Sequence, residues 1–226
     1  RIVIDALDAG KHVQLQKPMT VDLASADRIG RRAAATDRVL KVADNYVFYP
    51  PFVRAKRLID EGIIGTPVGI RIGFILGGSG GWPVPDSAWS WRIKETADGR
   101  GFNTFDHGHH LYATAWFFLG AFERVSAWID TFDGIVDSPA TVMWKHTSGP
   151  HYGVIDFQVA GEMNVPSDYY ANDEWLQITG EKGLIFVNRC TGKILDRPVV
   201  SVFDGASIRH ETDVESDWAL GFTGNI

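Results

Sequence analysis

The stretch Gly153-Val154-Ile155-Asp156-Phe157-Gln158-Val159-Ala160 sets Ile155, Phe157 and Val159 in alternation with Asp156 and Gln158. A period of two sends the apolar side chains to one face of a strand and the polar ones to the other. Such a strand packs on one side only, which is the habit of an antiparallel sheet with a solvated face. Further strands are expected at 175–179, 184–187, 194–203 and 208–214, separated by turns. From residue 123 onward the pattern is strand after strand with few helices. It predicts a large, open, mainly antiparallel sheet in an α+β arrangement.

Upstream the pattern changes. Residues 1–9 carry Ile2, Val3, Ala6 and Leu7 at helical spacing, and Gly10 suits the helix end. A strand at 12–15 runs into Gln16-Lys17-Pro18. A helix at 21–36 turns Leu23, Ala26, Ile29 and Ala33 inward, and a second strand follows at 39–43. Helix, strand, helix, strand in succession predicts a parallel sheet with crossover helices. Pro50-Pro51 breaks the chain, so a boundary is placed near 48–51, between units 1–49 and 50–226. A helix at 52–61, a strand at 69–76, the loop GGSGGWPVPDSAWSW at 77–91 and a helix at 105–119 complete the reading. No polar cap precedes the first helix, and the closing DWALGFTGNI opens an amphipathic pattern with Trp218 and Phe222 four apart. The expectation is a piece from the middle of a longer protein. No internal repeat or low-complexity tract is visible.

Composition narrows the function. The formal net charge is −6 without a Lys/Arg run, so no nucleic-acid partner is expected. No apolar run reaches the roughly 18 residues of a membrane span, so no membrane partner is expected, and no signal peptide is visible. Cys190 is the single cysteine, which excludes an intrachain disulfide and fits a reducing, cytoplasmic setting; a disulfide-free secreted protein would read the same way. Eight tryptophans and thirteen phenylalanines suit a broad sheet face or a carbohydrate-like ligand, with core packing as the plainer use.

The candidate chemistry centres on Thr104-Phe105-Asp106-His107-Gly108-His109-His110-Leu111-Tyr112. On an α-helix Asp106 and His110 share a face, His109 lies at its edge, and His107 diverges from Asp106 by about 100°. An aspartate one turn from a histidine can orient and tune a proton-transfer group. Asp106 with His109 and His110 could instead hold zinc or iron, although no two of the three histidines have the i,i+4 spacing that helical metal pairs use. A plain polar helix start, with Asp106 at the positive N-terminus, is the third reading. Lys17 stands where a parallel strand ends, and open α/β sheets bind ligands there. Its charge could hold a hydroxyl or carbonyl oxygen; a solvated surface lysine is the alternative.

The order of motifs carries a resemblance. Ala6-Leu7, Ala9-Gly10-Lys11-His12-Val13 and Lys17-Pro18 are followed by Asn45-Tyr46 with Phe48 and Pro50, then Trp91-Arg92. Next come Asp106, Gly108 and His110 as D-x-G-x-H, Leu119-Gly120 at a helix end, and ITGEKGLIFVN at 178–188. This series resembles the Gfo/Idh/MocA family of NAD(P)-dependent sugar and polyol oxidoreductases over nearly the whole chain. The resemblance implies that residues 1–49 are the C-terminal part of a Rossmann dinucleotide-binding domain. It implies that residues 50–226 form a substrate-binding and oligomerisation domain. Where the family has Glu-Lys-Pro this chain has Gln16, and where it often has an Asp after the histidine this chain has Ala113.

By the same resemblance Lys17, Asp106 and His110 occupy the catalytic positions. Gln16, Lys17, Pro18, Asn45, Trp91 and Arg92 are expected at the cofactor, NAD or NADP with NAD favoured. Lys17, Trp82, Trp89, Arg92, Asn103, Asp106, His109 and His110 are expected at the substrate, a sugar, polyol or glycoside, with oxidation at C3 of a glycoside one option. No metal is expected. The dinucleotide fingerprint G-x-G-x-x-G is absent from its required context here, so the piece by itself is expected to bind NAD poorly. A homo-oligomer through the open sheet face is expected. Two rival readings are a metal-dependent hydrolase or lyase built on Asp106, His109 and His110, and a non-catalytic relative of the fold. Intact Lys17, Asp106 and His110 argue against the latter.

Overall fold

The computed structural model describes residues 1–98, 100–195 and 197–226. The N-terminal unit is short. Helix α1 (Ile2–Asp8), strand β1 (Val13–Gln16), helix α2 (Leu23–Ala34) and strand β2 (Leu40–Ala43) follow one another. β1 and β2 pair in parallel with Val13 opposite Leu40. Val3, Leu7 and Ile29 seal the two helices onto this pair. Ile2, expected on the inward face of α1, is exposed, because one turn of so short a helix meets the strands only through Val3 and Leu7. Asp22 caps α2 by accepting from the Ser25 N–H at 2.7 Å.

A 3₁₀ turn (Tyr46–Phe48) leads into α3 (Pro50–Asp60), whose prolines occupy the first turn where no N–H partner is lost. Then come β3 (Pro67–Ser79), α4 (Asp86–Ala97), a π-helical turn (Phe102–His107) continuous with α5 (Gly108–Leu119), and β4 (Phe122–Ile129). The remaining strands are β5 (Ala140–His146), β6 (Tyr152–Asn164), β7 (Asn172–Gly180), β8 (Leu184–Val187), β9 (Val200–Phe203) and β10 (Ile208–Glu211), before the closing helix α6 (Leu220–Asn225). Strands β3 to β10 form one eight-stranded sheet in the order β10-β9-β8-β7-β3-β6-β5-β4.

Every neighbouring pair in this sheet is antiparallel except β3 and β6, which run parallel with Ile72 opposite Ile155 and Phe74 opposite Phe157. The alternation in β6 works as expected: Ile155 and Phe157 are fully buried beneath α3 and α5, against Phe52, Leu58, Leu111 and Phe118. The other face is open, with Trp128, Met143 and Trp175 exposed. There Trp175 lies across Gly73, where an added Cβ would come within 2.3 Å of the indole, so only glycine admits the ring.

Several sequence expectations shift. The segment 77–91 is not wholly a loop: α4 begins at Asp86 inside it, with an acidic residue in its first turn. Of the strands expected at 194–203 and 208–214, the structure shows β9 and β10, residue 196 lying outside the described residues. The strand expected at 69–76 is β3, which inserts between β7 and β6, a placement set by long-range pairing.

Candidate active site

The carboxyl ends of β1 and β2 point at the start of the α5 helix, and a cavity of about 920 Å³ lies between them. The helix opens with the π turn, in which the Asp106 N–H reaches the Gly101 carbonyl five residues back, at 3.2 Å. Asp137, from the β4–β5 connection, anchors this turn. Its carboxylate accepts from the Asn103 N–H at 2.6 Å and the Thr104 N–H at 2.8 Å, and also from the Thr104 hydroxyl. Gly101 leaves room for it, since a Cβ there would sit 1.9 Å from Asp137 Oδ2.

Lys17 follows β1 directly and crosses to this turn. Its Nζ donates to the Asp106 carbonyl at 2.9 Å and to Asp106 Oδ1 at 3.0 Å. Arg92, on α4, brings a guanidinium nitrogen to 3.8 Å from Asp106 Oδ2. Asp106 thus sits between two cations.

His110 finds a different carboxylate. Its Nδ1 lies 3.2 Å from both oxygens of Asp44, the residue that follows β2. The expectation that Asp106 partners His110 is therefore corrected. The spacing argument assumed α-helical geometry through a segment that is π-helical, and Lys17 and Arg92 claim Asp106. Asp44 also accepts from the Tyr46 N–H at 2.9 Å. The Tyr46 ring stacks on His110 with centroids 4.3 Å apart. Burial would raise the Asp44 carboxyl, but the contacts from His109, His110 and the Tyr46 N–H outweigh it and hold the group well below the usual carboxylate range. For His110, burial leads and lowers its pKa. The bond and charge of Asp44 oppose this, and the charges of His107 and Lys17 add to the lowering.

His107, expected to point elsewhere, lines the same cavity, with Nε2 3.0 Å from Glu174 Oε1. That oxygen also accepts from Tyr46 Oη at 2.9 Å and Asn172 Nδ2 at 2.6 Å. Gln16, Lys17, Asn45, Trp82, Trp89, Arg92, Asn103, Asp106 and His110 all line the cavity. Asn103 spends its amide on Ser138 Oγ at 2.8 Å. The buried Asn45 Nδ2 has no partner among the described residues.

Pro18, Trp91 and His109 are not among the lining residues. On α4 the residue two positions after Trp89 points to the opposite side, so Trp91 is half-exposed, with Arg92 5.4 Å from its ring. His109 Nε2 stands 3.1 Å from Asp44 Oδ2 without forming a hydrogen bond. Asp44, Asn172 and Glu174 were not singled out from sequence, and Tyr46 was read only as part of the Asn45–Pro50 motif; of these, only Asp44 carried a positional signal, at a parallel strand end. Among the described residues no three His, Cys, Asp or Glu side chains are placed to share a metal ion, and no helix is long and apolar enough to cross a membrane.

The arrangement sets a two-stranded parallel end of an α/β unit against a large open sheet, with a lysine, an aspartate and a histidine at their junction. The chain belongs to the Gfo/Idh/MocA family: the GFO/IDH/MocA C-terminal domain model matches residues 52–186.

The chain is 30% identical over 131 residues to a levoglucosan dehydrogenase of Pseudarthrobacter phenanthrenivorans, covering 58% of this chain and 33% of that protein. It is 33% identical over 118 residues to a dTDP-3,4-didehydro-2,6-dideoxy-alpha-D-glucose 3-reductase of Actinomadura kijaniata, covering 51% of this chain and 32% of that protein. A structure of levoglucosan dehydrogenase in complex with NADH and levoglucosan superposes with a TM-score of 0.71 at 23% identity, over 93% of this chain and 57% of that one. The chain thus spans a third to about half of these relatives.

Proposed function

We propose that the protein bearing this chain is an oxidoreductase that moves a hydride between a secondary alcohol of a sugar, polyol or glycoside and a nicotinamide cofactor. The observation that carries the reading is the meeting of Lys17, Asp106 and His110 on one cavity at the strand ends. The sugar-directed names of the levoglucosan dehydrogenase and the dTDP-sugar 3-reductase support the substrate class. The latter favours C3 of a glycoside as the carbon oxidised.

Residues 1–49 are read as the end of the dinucleotide-binding domain, and 50–226 as the substrate and oligomerisation domain. The strand ends fit a nicotinamide: Asn45 offers a buried Nδ2 donor without a partner, suited to a carboxamide oxygen. Gln16, Lys17, Asn45 and Arg92 would hold it, and the complex of levoglucosan dehydrogenase with NADH supports NAD over NADP. When bound, the nicotinamide accepts the hydride that leaves the carbinol carbon.

The chain's own residues manage the proton and the oxygen. His110, kept neutral by burial, takes the hydroxyl proton on Nε2. Lys17 stabilises the oxygen as negative charge develops, and Asp106 holds the ammonium in place. The carbinol becomes a ketone. Trp82, Trp89 and Arg92 shape the sugar pocket. We place the protein in the cytoplasm, on the strength of its single cysteine. The open sheet face, with Trp128, Met143 and Trp175 exposed, is read as the surface joining copies of the chain.

In the intact protein His110→Ala should lower turnover by about two to four orders of magnitude, the usual worth of a general base. Nucleotide affinity, read by fluorescence titration, should stay unchanged. Wild-type turnover in this variant, followed by reduced-cofactor absorbance over a panel of glycosides, would remove His110 from the role.

A further inference from the structure

We propose that Asp44 is the positioning carboxylate of His110: it accepts the Nδ1–H, fixes that tautomer, and so leaves Nε2 as the proton acceptor in the cavity. This rests on the reading of His110 as the base. A neutral imidazole protonates one nitrogen or the other, and a hydrogen bond from one of them decides which. The geometry supplies such a bond on one side only. Both Asp44 oxygens lie 3.2 Å from Nδ1.

The carboxylate itself is held by one hydrogen bond and one close charged contact, and the imidazole is held by a stacked ring. The Tyr46 N–H donates to Oδ1 at 2.9 Å. His109 Nε2 stands 3.1 Å from Oδ2. The stacked Tyr46 ring, 4.3 Å from the imidazole, prevents His110 from turning away. Asp44 is 8% exposed, so water competes little for its oxygens.

The other charged and titratable groups around His110 come from every neighbouring element. Lys17 reaches in from the end of β1, and His107 and His109 from the same helix. Glu174 on β7 is held off by His107 and Tyr46, and Asp106 is neutralised by Lys17. Asp44 is the one carboxylate in contact with the His110 ring among the described residues. It opposes the lowering that burial imposes on this imidazole. Removing its charge should therefore leave His110 a weaker base that loses its proton at lower pH.

The test uses the intact protein with NAD and a glycoside substrate. Asp44→Asn should lower kcat by about 10- to 100-fold, the range seen when an orienting partner is removed, with KM little changed. In the oxidation direction activity rises as the base deprotonates, so the acidic limb of kcat/KM should move to lower pH. Asp44→Glu should recover part of the rate. A limb that stays in place with unchanged kcat would overturn the proposal. Nitrogen-15 NMR of histidine-labelled wild-type protein gives a reading that needs no variant to fold: His110 should be the Nδ1–H tautomer, and an Nε2–H tautomer would overturn the assignment. If His110→Ala keeps full turnover while the tautomer is Nδ1–H, the base assignment fails and the Asp44 pairing stands.

Discussion

Asp173 makes a measurable demand on the fold. It lies on β7, is 6% exposed, and has one buried carboxyl oxygen without a hydrogen-bond partner. Burial first, and then the neighbouring Glu174 charge, raise its pKa from 3.8 to about 6, against smaller opposing contributions from the Glu174 N–H and Arg189. A carboxyl whose folded pKa exceeds its unfolded value stabilises the fold below the unfolded value, and that contribution is lost as pH rises through the folded one. Here the window runs from 3.8 to about 6. At about 1.36 kcal/mol per pKa unit the buried charge disfavours folding by up to about 3 kcal/mol at pH 8. Asp173→Asn keeps the shape and removes the charge. It forfeits the attraction of Arg189, so the expected gain at pH 8 is about 1–3 kcal/mol, which for a chain of this size is roughly 2–10 °C in Tm. At pH 4.5, inside this window, the unfolded carboxyl is mostly ionised while the folded one is still protonated, so the difference should shrink to about 1 kcal/mol or less. Urea midpoints and thermal scans at the two pH values are the assay. Equal stability at pH 8, or a loss of equal size at both, would show that Asp173 is not the strained acid described.

Asp137→Ala removes three acceptor contacts from the start of the helix that carries Asp106 and His110. It should cost about 1–3 kcal/mol in urea unfolding and lower turnover together with stability; an unchanged midpoint would mean that the π turn stands without its anchor. The open sheet face should make the intact protein a stable oligomer, and Trp128→Asp should weaken the assembly in light scattering; a monodisperse wild-type monomer would refute the surface reading.

Much of the fold was legible because its signals are local. Ile155, Phe157 and Val159 alternate, and a period of two leaves no choice about which face is buried. Lys17 was legible because a proline stops the strand and leaves the lysine at its carboxyl end. The insertion of β3 between β7 and β6 was not legible. Its glycines make sense only beside their cross-strand neighbours, as Gly73 does under Trp175. Asp44 stayed hidden for a subtler reason. Its local role, accepting the Tyr46 N–H two residues on, is what an aspartate before a turn ordinarily does. That reading is true and incomplete, because the same carboxylate meets His110, which is 66 residues away in sequence.

Glu174 shows how such a residue could be found. Asp173 and Glu174 are adjacent in a strand, so the pleat must send them to opposite faces, and one acid is forced toward the helices and the cavity. An acid facing inward needs donors. Glu174 Oε1 has three of them, from Tyr46, His107 and Asn172, and its partner His107 stands on the helix that bears His110. Two neighbouring acids inside a strand are therefore a sequence signal in their own right: one ties the sheet to the helix of the site, and the other, with one oxygen unpartnered, bears the cost of burial.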